Sequence, residues 1–238
     1  MAQKFESLSM AWRDDFEPLK VTAHLRTGVV ADQWMPLDAV LLYQVARNRL
    51  GVQMATTPGG DPGAEDLTMP LLKIHNTEPD WYYACSWAQP QPWWISEGQD
   101  HWNKRFDSQF ADLVDFGKRR GKVIIEQGRY KAYHMPIFYR VAMKIDWYCV
   151  GDREAIHQLL SCVTHLGKKR SQGWGRVIAW EVESWTQDWS IWRDGKLTRG
   201  VPGRDVAGKG AFNLLHYGLR PSYYRPHNQM LIAIPDGT

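Results

Sequence analysis

The sequence has 238 residues, of which 44% are hydrophobic and 23% are charged, values that exclude a disordered chain and allow one large or two small globular domains. Its formal net charge of +3 is small but unevenly distributed. Residues 1–100 carry 7 Lys or Arg against 13 Asp or Glu, whereas residues 101–176 carry 15 against 7, so the middle of the chain favours a polyanionic partner.

The beginning of the chain predicts a strand, a helix and a loop. From Leu19 to Val30, apolar and polar residues alternate as they do in a half-buried strand. A helix is predicted from Ala39 to Leu50, with its end at Gly51. The Gly- and Pro-rich stretch Thr56–Gly63 predicts a loop.

The next segment predicts two short strands, at Leu71–Ile74 and at Trp81–Ala88. They are followed by the Pro- and Trp-rich stretch Pro90–Trp94, which we expect to be irregular.

A basic segment, residues 101–135, comes next and predicts a hairpin arm. Its two predicted strands, Lys122–Ile125 and Arg129–His134, flank Gly128. The following stretch, Pro136–Val150, alternates through its apolar residues and predicts one continuous strand.

The last predicted elements are a helix from Arg153 to Leu166, a strand from Val177 to Trp185 and a short strand from Met230 to Ile234. Up to Trp185, with the two short strands taken together and the hairpin arm set aside as an insertion, the elements form a βαββαβ unit in chain order. This order predicts an α+β, ferredoxin-like (RRM-like) core. We expect that core in residues 1–185, with residues 95–135 as an inserted basic hairpin thumb. Residues 186–238 are expected to form an irregular C-terminal extension packed on the core.

The segment from Leu166 to Val177 carries the most specific signal, because three glycines and four cationic side chains lie between a helix and a strand. Glycines permit close backbone approach, so amide groups can turn toward an anion, and Lys and Arg bind phosphate oxygens. Trp174 lies between two glycines and is expected to be an exposed, mobile ring that stacks on a base.

Known phosphate-binding motifs fit this segment poorly. A Walker A loop and a dinucleotide-binding loop both follow a strand, whereas a helix precedes this loop. The RNP signature of RRM domains is echoed only faintly by Gly173–Val177. A helix-ending glycine followed by an ordinary basic turn is the alternative interpretation.

The sequence offers little for catalysis or for metal binding. Cys85, Cys149 and Cys162 are widely spaced and form no CxxC pair, so we expect neither a disulfide framework nor a cysteine zinc site, and no cofactor or metal. Of the eight histidines, only His101 and His134 lie in the basic segment. We expect no catalytic residues.

Neither a signal peptide nor an apolar run close to the roughly 18 residues of a membrane span is found, so a cytoplasmic protein without membrane contact is expected.

A basic glycine-rich loop after the second helix of a ferredoxin-like unit resembles the RAMP superfamily of CRISPR proteins. Met35–Tyr43 is similar to a segment near the start of the Cas-five-like subunit of type IV effector complexes, and Thr198–Pro202 and Leu219–Tyr224 look like its C-terminal part. The resemblance covers most of residues 19–234.

The resemblance implies a non-catalytic subunit that binds the repeat-derived 5′ handle of the guide RNA (crRNA) in a type IV antiviral ribonucleoprotein. Its implied partners are the guide RNA and the backbone and large subunits of the complex, with target DNA as a further candidate. The expected RNA contacts are Lys168, Lys169, Arg170, Ser171, Gln172, Gly173, Trp174, Gly175 and Arg176 in the loop, and Lys118, Arg119, Arg120, Lys122, Arg129 and Lys131 in the thumb.

Two other functions remain open on the sequence. The first is a metal-independent endoribonuclease that processes the guide precursor with His134, His101 or Tyr133, because some RAMP proteins cleave RNA with such residues. The second is a protein-interaction module whose basic face contacts an acidic protein. An ordinary charged hairpin is the alternative to an RNA-binding thumb.

Overall fold

The computed structural model describes residues 16–32, 34–50, 67–75, 79–115, 121 and 123–235. The chain has an α+β architecture with mostly antiparallel strands, as predicted. Up to residue 104 the elements are β1 (Glu17–Leu25), α1 (Leu37–Leu50), β2 (Lys73–Ile74), β3 (Tyr82–Tyr83), β4 (Gln89–Gln91) and β5 (Ser96–Lys104). They are followed by β6 (Tyr133–Val141), β7 (Lys144–Gly151), α2 (Arg153–Ser161), β8 (Val177–Ser184), β9 (Trp192–Arg193), β10 (Lys196–Leu197), β11 (Val201–Pro202), β12 (Asn213–Gly218) and β13 (Gln229–Ile234).

The central sheet has four strands in the order β4-β7-β1-β8, and β1 pairs antiparallel with both β7 and β8. Alternate residues of β1, among them Val21 and Ala23, are fully buried in one core with residues of both helices, such as Leu41 and Ile156. Because side chains alternate across a strand, this core lies on one face of the sheet.

The helix α2 begins at a well-formed cap. The carboxylate of Asp152 accepts a hydrogen bond from the Ala155 amide at 3.0 Å, which satisfies a donor that the first helical turn leaves unpaired. The helix ends at Ser161, earlier than the predicted Leu166, so His165 lies beyond it. The predicted strands at the positions of β8 and β13 are confirmed.

Several strand predictions were wrong in their extent. The predicted strands Leu71–Ile74 and Trp81–Ala88 are shorter, as β2 and β3. The first strand ends at Leu25 rather than Val30. The stretch Pro136–Val150 is two strands, because β6 pairs with β5 whereas β7 joins the central sheet, and the chain bends at Met143 between them. The alternating apolar residues Val141, Met143 and Ile145 continue through the bend, so the sequence pattern does not indicate where one strand ends and the next begins.

The Pro- and Trp-rich stretch was predicted to be irregular, but its beginning is the edge strand β4, in which Pro90 is the register partner of Ile145 of β7. An edge position tolerates proline because no second neighbouring strand requires its missing N–H.

The basic hairpin was assigned to the wrong residues. The long antiparallel hairpin consists of β5 and β6, from the pair Ser96 and Val141 to the pair Lys104 and Tyr133. Arg129 lies instead in a 3₁₀ turn, Gly128–Tyr130. We call β5, β6 and the segment between them the hairpin arm. The predicted loop Thr56–Gly63 and Lys122 lie outside the described residues.

A second core forms where the C-terminal part packs. The strands β11, β13 and β12 form an antiparallel sheet whose Ile232 and Ala233 are fully buried with Tyr82 and Trp87. Residues 203–206 and 226–228 form short 3₁₀ turns beside this sheet. The predicted division of the chain at residue 185 stays a prediction.

Arg199 connects the second core to the first. Its guanidinium is 1% exposed and donates to the carbonyl oxygens of Tyr83, of Cys85 at 3.1 Å and of Leu219 at 2.7 Å. It also lies 3.6 Å from the fully buried carboxylate of Asp38 in α1. This buried pair joins the C-terminal part to the first helix.

Candidate nucleic-acid interface

The glycine-rich loop, residues 167–176, is fixed to the segment that follows β1. The Lys168 amide donates to the Val30 carbonyl oxygen at 2.6 Å, and the Gly175 amide donates to that of Gly28 at 2.8 Å. The Thr27 hydroxyl donates to the Gly173 carbonyl oxygen at 2.9 Å and accepts from the Arg176 amide at 2.9 Å. Residues 26–30, predicted as strand, therefore form the platform of the loop.

Two of the glycines are required by the path of the backbone. Gly167 and Gly175 have φ angles of +76° and +70°, and a Cβ at Gly175 would lie 1.9 Å from the Leu166 carbonyl oxygen. At Gly167 a Cβ would lie 2.5 Å from the Val30 carbonyl oxygen. Side chains at these positions are excluded both by the left-handed conformation and by backbone contact.

The amide groups of the loop are less available to an anion than the sequence suggested. Besides those of Lys168, Gly175 and Arg176, the amides of Gln172 and Gly173 donate to carbonyl oxygens within the loop. These five donors are already satisfied inside the protein, so an anion at the loop would be contacted mainly by side chains.

Trp174 is not the exposed, mobile ring that was expected. It is half-buried, and its ring stacks on that of Tyr139 in β6, with centroids 4.5 Å apart and an angle of 29° between the planes. Gly28 makes room for both rings, because a Cβ there would lie 3.0 Å from Cδ2 of Tyr139 and 3.3 Å from Cζ3 of Trp174. This contact joins the loop to the hairpin arm.

The four cationic side chains of the loop have different surroundings. Lys168 forms an exposed ion pair with Asp32 at 3.1 Å. The Nζ atom of Lys169 lies 4.7 Å from the ring centroid of Trp102, and the Arg170 guanidinium lies 5.1 Å from that of Tyr43. Arg176 is exposed, as are Ser171, Gln172 and Gly173.

The described part of the hairpin arm adds aromatic and cationic groups beside Lys169. Trp102 of β5 stacks on Tyr133 of β6, with centroids 6.0 Å apart. The Nζ atoms of Lys104 and Lys131 lie 5.9 and 5.8 Å from the Tyr133 centroid. Lys131 was predicted to contact RNA, whereas Lys104, Trp102, Tyr133 and Tyr139 were not. Their only sequence signal was the interleaving of aromatic and basic residues.

The structure does not describe the side chains of the other predicted thumb contacts. Lys118, Arg119, Arg120 and Lys122 lie outside the described residues, and for Arg129 only the backbone is described. The loop and the face of the hairpin arm that carries Trp102 and Tyr133 form what we call the basic–aromatic surface.

The hairpin brings two of the three residues considered for RNA cleavage together and places the third on its other face. His134 stacks on His101 with ring centroids 4.5 Å apart, whereas the neighbouring residue Tyr133 stacks on Trp102. Consecutive residues of a strand point to opposite faces, so Tyr133 and His134 do not meet. The Nδ1 atom of His134 lies 2.5 Å from Oδ1 of Asn103.

No group of three or more His, Cys, Asp or Glu side chains suited to a metal ion is found in the described part of the chain. No helix among the described residues is long and apolar enough to cross a membrane.

Comparison with known proteins assigns a family. Residues 17–235 match the family described as CRISPR type IV associated protein Csf3. A chain in the cryo-EM structure of the Type III-B Cmr-beta bound to cognate target RNA is similar in structure, with 12% sequence identity and a TM-score of 0.38. That similarity covers 76% of this chain and 63% of the other, so this chain spans less than two thirds of that protein. No curated protein matches the sequence. Because the family match extends over nearly the whole sequence, the chain belongs to the family of the CRISPR type IV associated protein Csf3.

Proposed function

We propose that this chain is a non-catalytic, guide-RNA-binding subunit of a type IV CRISPR effector complex, and that its basic–aromatic surface binds the repeat-derived 5′ handle. Family membership supports a place in a type IV system. We further assign the core as ferredoxin-like, since the order β4-β7-β1-β8 places its second, third, first and fourth core strands as that fold requires.

The observation that carries the proposal is the juxtaposition of the loop and the hairpin arm. Lys169 lies over Trp102, and Arg170 and Arg176 are exposed on a loop whose backbone is held by its own hydrogen bonds. Cationic side chains neutralise phosphates, and neighbouring aromatic rings stack on bases. A fixed loop also loses little conformational entropy when RNA binds.

The arrangement of the candidate acid–base groups supports a role without catalysis. An endoribonuclease needs its acid and base within hydrogen-bond reach of the same reacting group. Tyr133 points to the face opposite His134, and the stacked rings of His101 and His134 are each engaged by a neighbouring amide side chain, that of Gln99 and that of Asn103 respectively. We therefore expect repeat RNA to remain intact in the presence of the protein.

Fluorescence anisotropy with a labelled, single-stranded fragment of the repeat RNA tests the proposal. The wild type is compared with the triple variant Lys169→Gln, Arg170→Gln, Arg176→Gln over a salt series. We expect the triple variant to bind on the order of tenfold more weakly at low salt, and the slope of log K against log salt to fall by about 2, since each phosphate contact to a single strand contributes roughly 0.7.

A matched control removes three other exposed cations, with Arg153→Gln, Lys196→Gln and Lys209→Gln. If both triple variants lose affinity equally, the protein binds RNA only through its net charge and the proposed surface is wrong. If the wild type cleaves the RNA, the endoribonuclease function replaces this proposal. If the chain joins its protein partners equally well without RNA, the interaction-module function is favoured.

A further inference from the structure

A cleft of about 290 Å³ lies beside the glycine-rich loop, between the last turns of α1 and the segment that follows α2. Among its lining residues are Gln44 and Arg47 of α1, Cys162, Thr164 and His165 after α2, and Arg170 of the loop. Arg170 thus belongs to both the loop and the cleft. We call this site the α1–α2 cleft.

The charge of the cleft suits an anion. Two guanidinium groups, those of Arg47 and Arg170, line it, and no carboxylate does. Within the described part of the chain, neither arginine forms an ion pair with an acidic side chain. The C-terminal ends of α1 and α2 each contribute only about half a negative charge, which two arginines outweigh. Arginine pairs are well suited to phosphate oxygens.

The polar groups of the cleft suit a sugar. Gln44 is 3% exposed, and its amide oxygen is buried without a hydrogen-bond partner. A buried acceptor without a donor is unfavourable, so a small rotation of this amide toward a ribose hydroxyl in the cleft would be favourable. The Thr164 hydroxyl lies 3.0 Å from Nδ1 of His165 and adds a further polar group.

We propose that the α1–α2 cleft binds one nucleotide of the same RNA strand, with its phosphate held by Arg47 and Arg170. This inference rests on the proposed function and extends the RNA path from the loop onto the helical face of the core. The volume lies just below the roughly 300–1,000 Å³ of small-molecule sites, so the cleft accepts one nucleotide rather than several.

The native cysteine at the edge of the cleft allows a direct test. Cys162 is exposed, whereas Cys85 and Cys149 are buried, so a maleimide reagent reports on this cleft in the full-length native protein. Labelling rates are measured with and without saturating single-stranded repeat RNA. A matched control carries Cys162→Ser and Glu154→Cys, which moves the exposed thiol to the first turn of α2.

We expect RNA to slow the labelling of Cys162 at least fivefold and to leave the control thiol unchanged. If anisotropy shows that RNA is bound while Cys162 reacts at its free rate, the cleft proposal is overturned and the proposed function stands. If no RNA binds at all, both fail. Equal protection of the two thiols would also contradict the cleft proposal, because it would not be local.

A charge variant provides a second, independent measurement. Arg47→Gln should weaken binding of the repeat RNA about threefold to tenfold and lower the salt slope by about 0.7, as expected for one phosphate contact. Arg153→Gln, at the opposite end of α2, should change neither. If Arg47→Gln keeps the wild-type affinity and salt slope while the triple loop variant loses affinity, the cleft proposal is wrong and the proposed function stands.

Discussion

The indole ring of Trp174 stacks on the phenol ring of Tyr139 at a centroid distance of 4.5 Å. One ring belongs to the glycine-rich loop and the other to β6 of the hairpin arm, and both pack beside Gly28. The contact therefore makes the loop and the hairpin arm a single surface, in which we propose that Trp174 positions the loop.

A double-mutant cycle measures this contact. Trp174→Ala and Tyr139→Ala should each lower the free energy of unfolding, and the double variant should lower it by less than the sum of the two single losses. We expect a coupling free energy of about 0.5–1.5 kcal/mol, as for other aromatic pairs. Denaturant unfolding gives these values. Additive losses would show that the two rings do not interact in solution.

Alanine substitutions at two glycines of the loop should lower the free energy of unfolding by different amounts. Gly175→Ala places a Cβ 1.9 Å from a backbone oxygen, whereas at Gly173, with φ of +89°, a Cβ meets nothing within 4 Å. We expect a loss of about 2–5 kcal/mol for Gly175→Ala, from strain and steric clash, and about 1–2 kcal/mol for Gly173→Ala, from the left-handed conformation alone. Equal losses in thermal or denaturant unfolding would contradict the loop geometry.

Removal of the carboxylate beside Lys168 should strengthen RNA binding. Asp32 lies 3.1 Å from Nζ of Lys168, and both side chains are largely exposed. Asp32→Asn removes a negative charge near the phosphates, so we expect about threefold tighter binding at low salt and a smaller gain at high salt, because salt screens the repulsion. Folding stability should change by less than about 0.5 kcal/mol. Unchanged or weaker binding would place the RNA away from Lys168.

Loss of the buried arginine should destabilise the fold strongly. Arg199→Leu leaves the Asp38 carboxylate buried without its cation, and removing one partner of a buried pair costs about 3–5 kcal/mol. Arg153→Gln, whose exposed guanidinium lies 3.2 Å from Glu154, should cost less than about 0.5 kcal/mol. Comparable losses in the two variants would mean that Arg199 is not buried.

The same variant should show a pH dependence of defined sign. Burial raises the pKa of the Asp38 carboxyl, and Arg199 and Tyr223 oppose that rise. Without Arg199 the folded pKa rises further above the unfolded value of about 3.9, so the folded state becomes less stable as pH increases between the two values. The loss in free energy of unfolding of Arg199→Leu relative to wild type should therefore be larger at pH 8 than at pH 5. A constant deficit would contradict this.

The three thiols should differ in reactivity. Burial raises the pKa of the Cys85 and Cys149 thiols, so both remain protonated and enclosed at neutral pH. Labelling of the native protein at pH 8 should modify one thiol quickly, and the unfolded protein should show three. Fast labelling of more than one native thiol would contradict the packing of the first core.

The sequence predicted those parts of the fold whose apolar pattern is local. The helix α1, the strand β8 and the glycine-rich loop are each encoded by contiguous residues with a clear period or by glycines. The strand β5 was missed because its residues, SEGQDHWNK, show no alternation and it pairs only with β6. The position of Trp174 depends on Gly28 and Tyr139, which lie far from it in the chain, so no local pattern indicated it.

Photocrosslinking tests whether the RNA contacts the basic–aromatic surface. The full chain is irradiated with repeat RNA that carries 4-thiouridine at successive positions, and the crosslinked peptides are identified by mass spectrometry. We predict crosslinks in residues 167–176 and on the face of the hairpin arm that carries Trp102 and Tyr133. Crosslinks confined to the face of the central sheet that lies away from the two helices, around Tyr148 and Trp185, would contradict the proposed function.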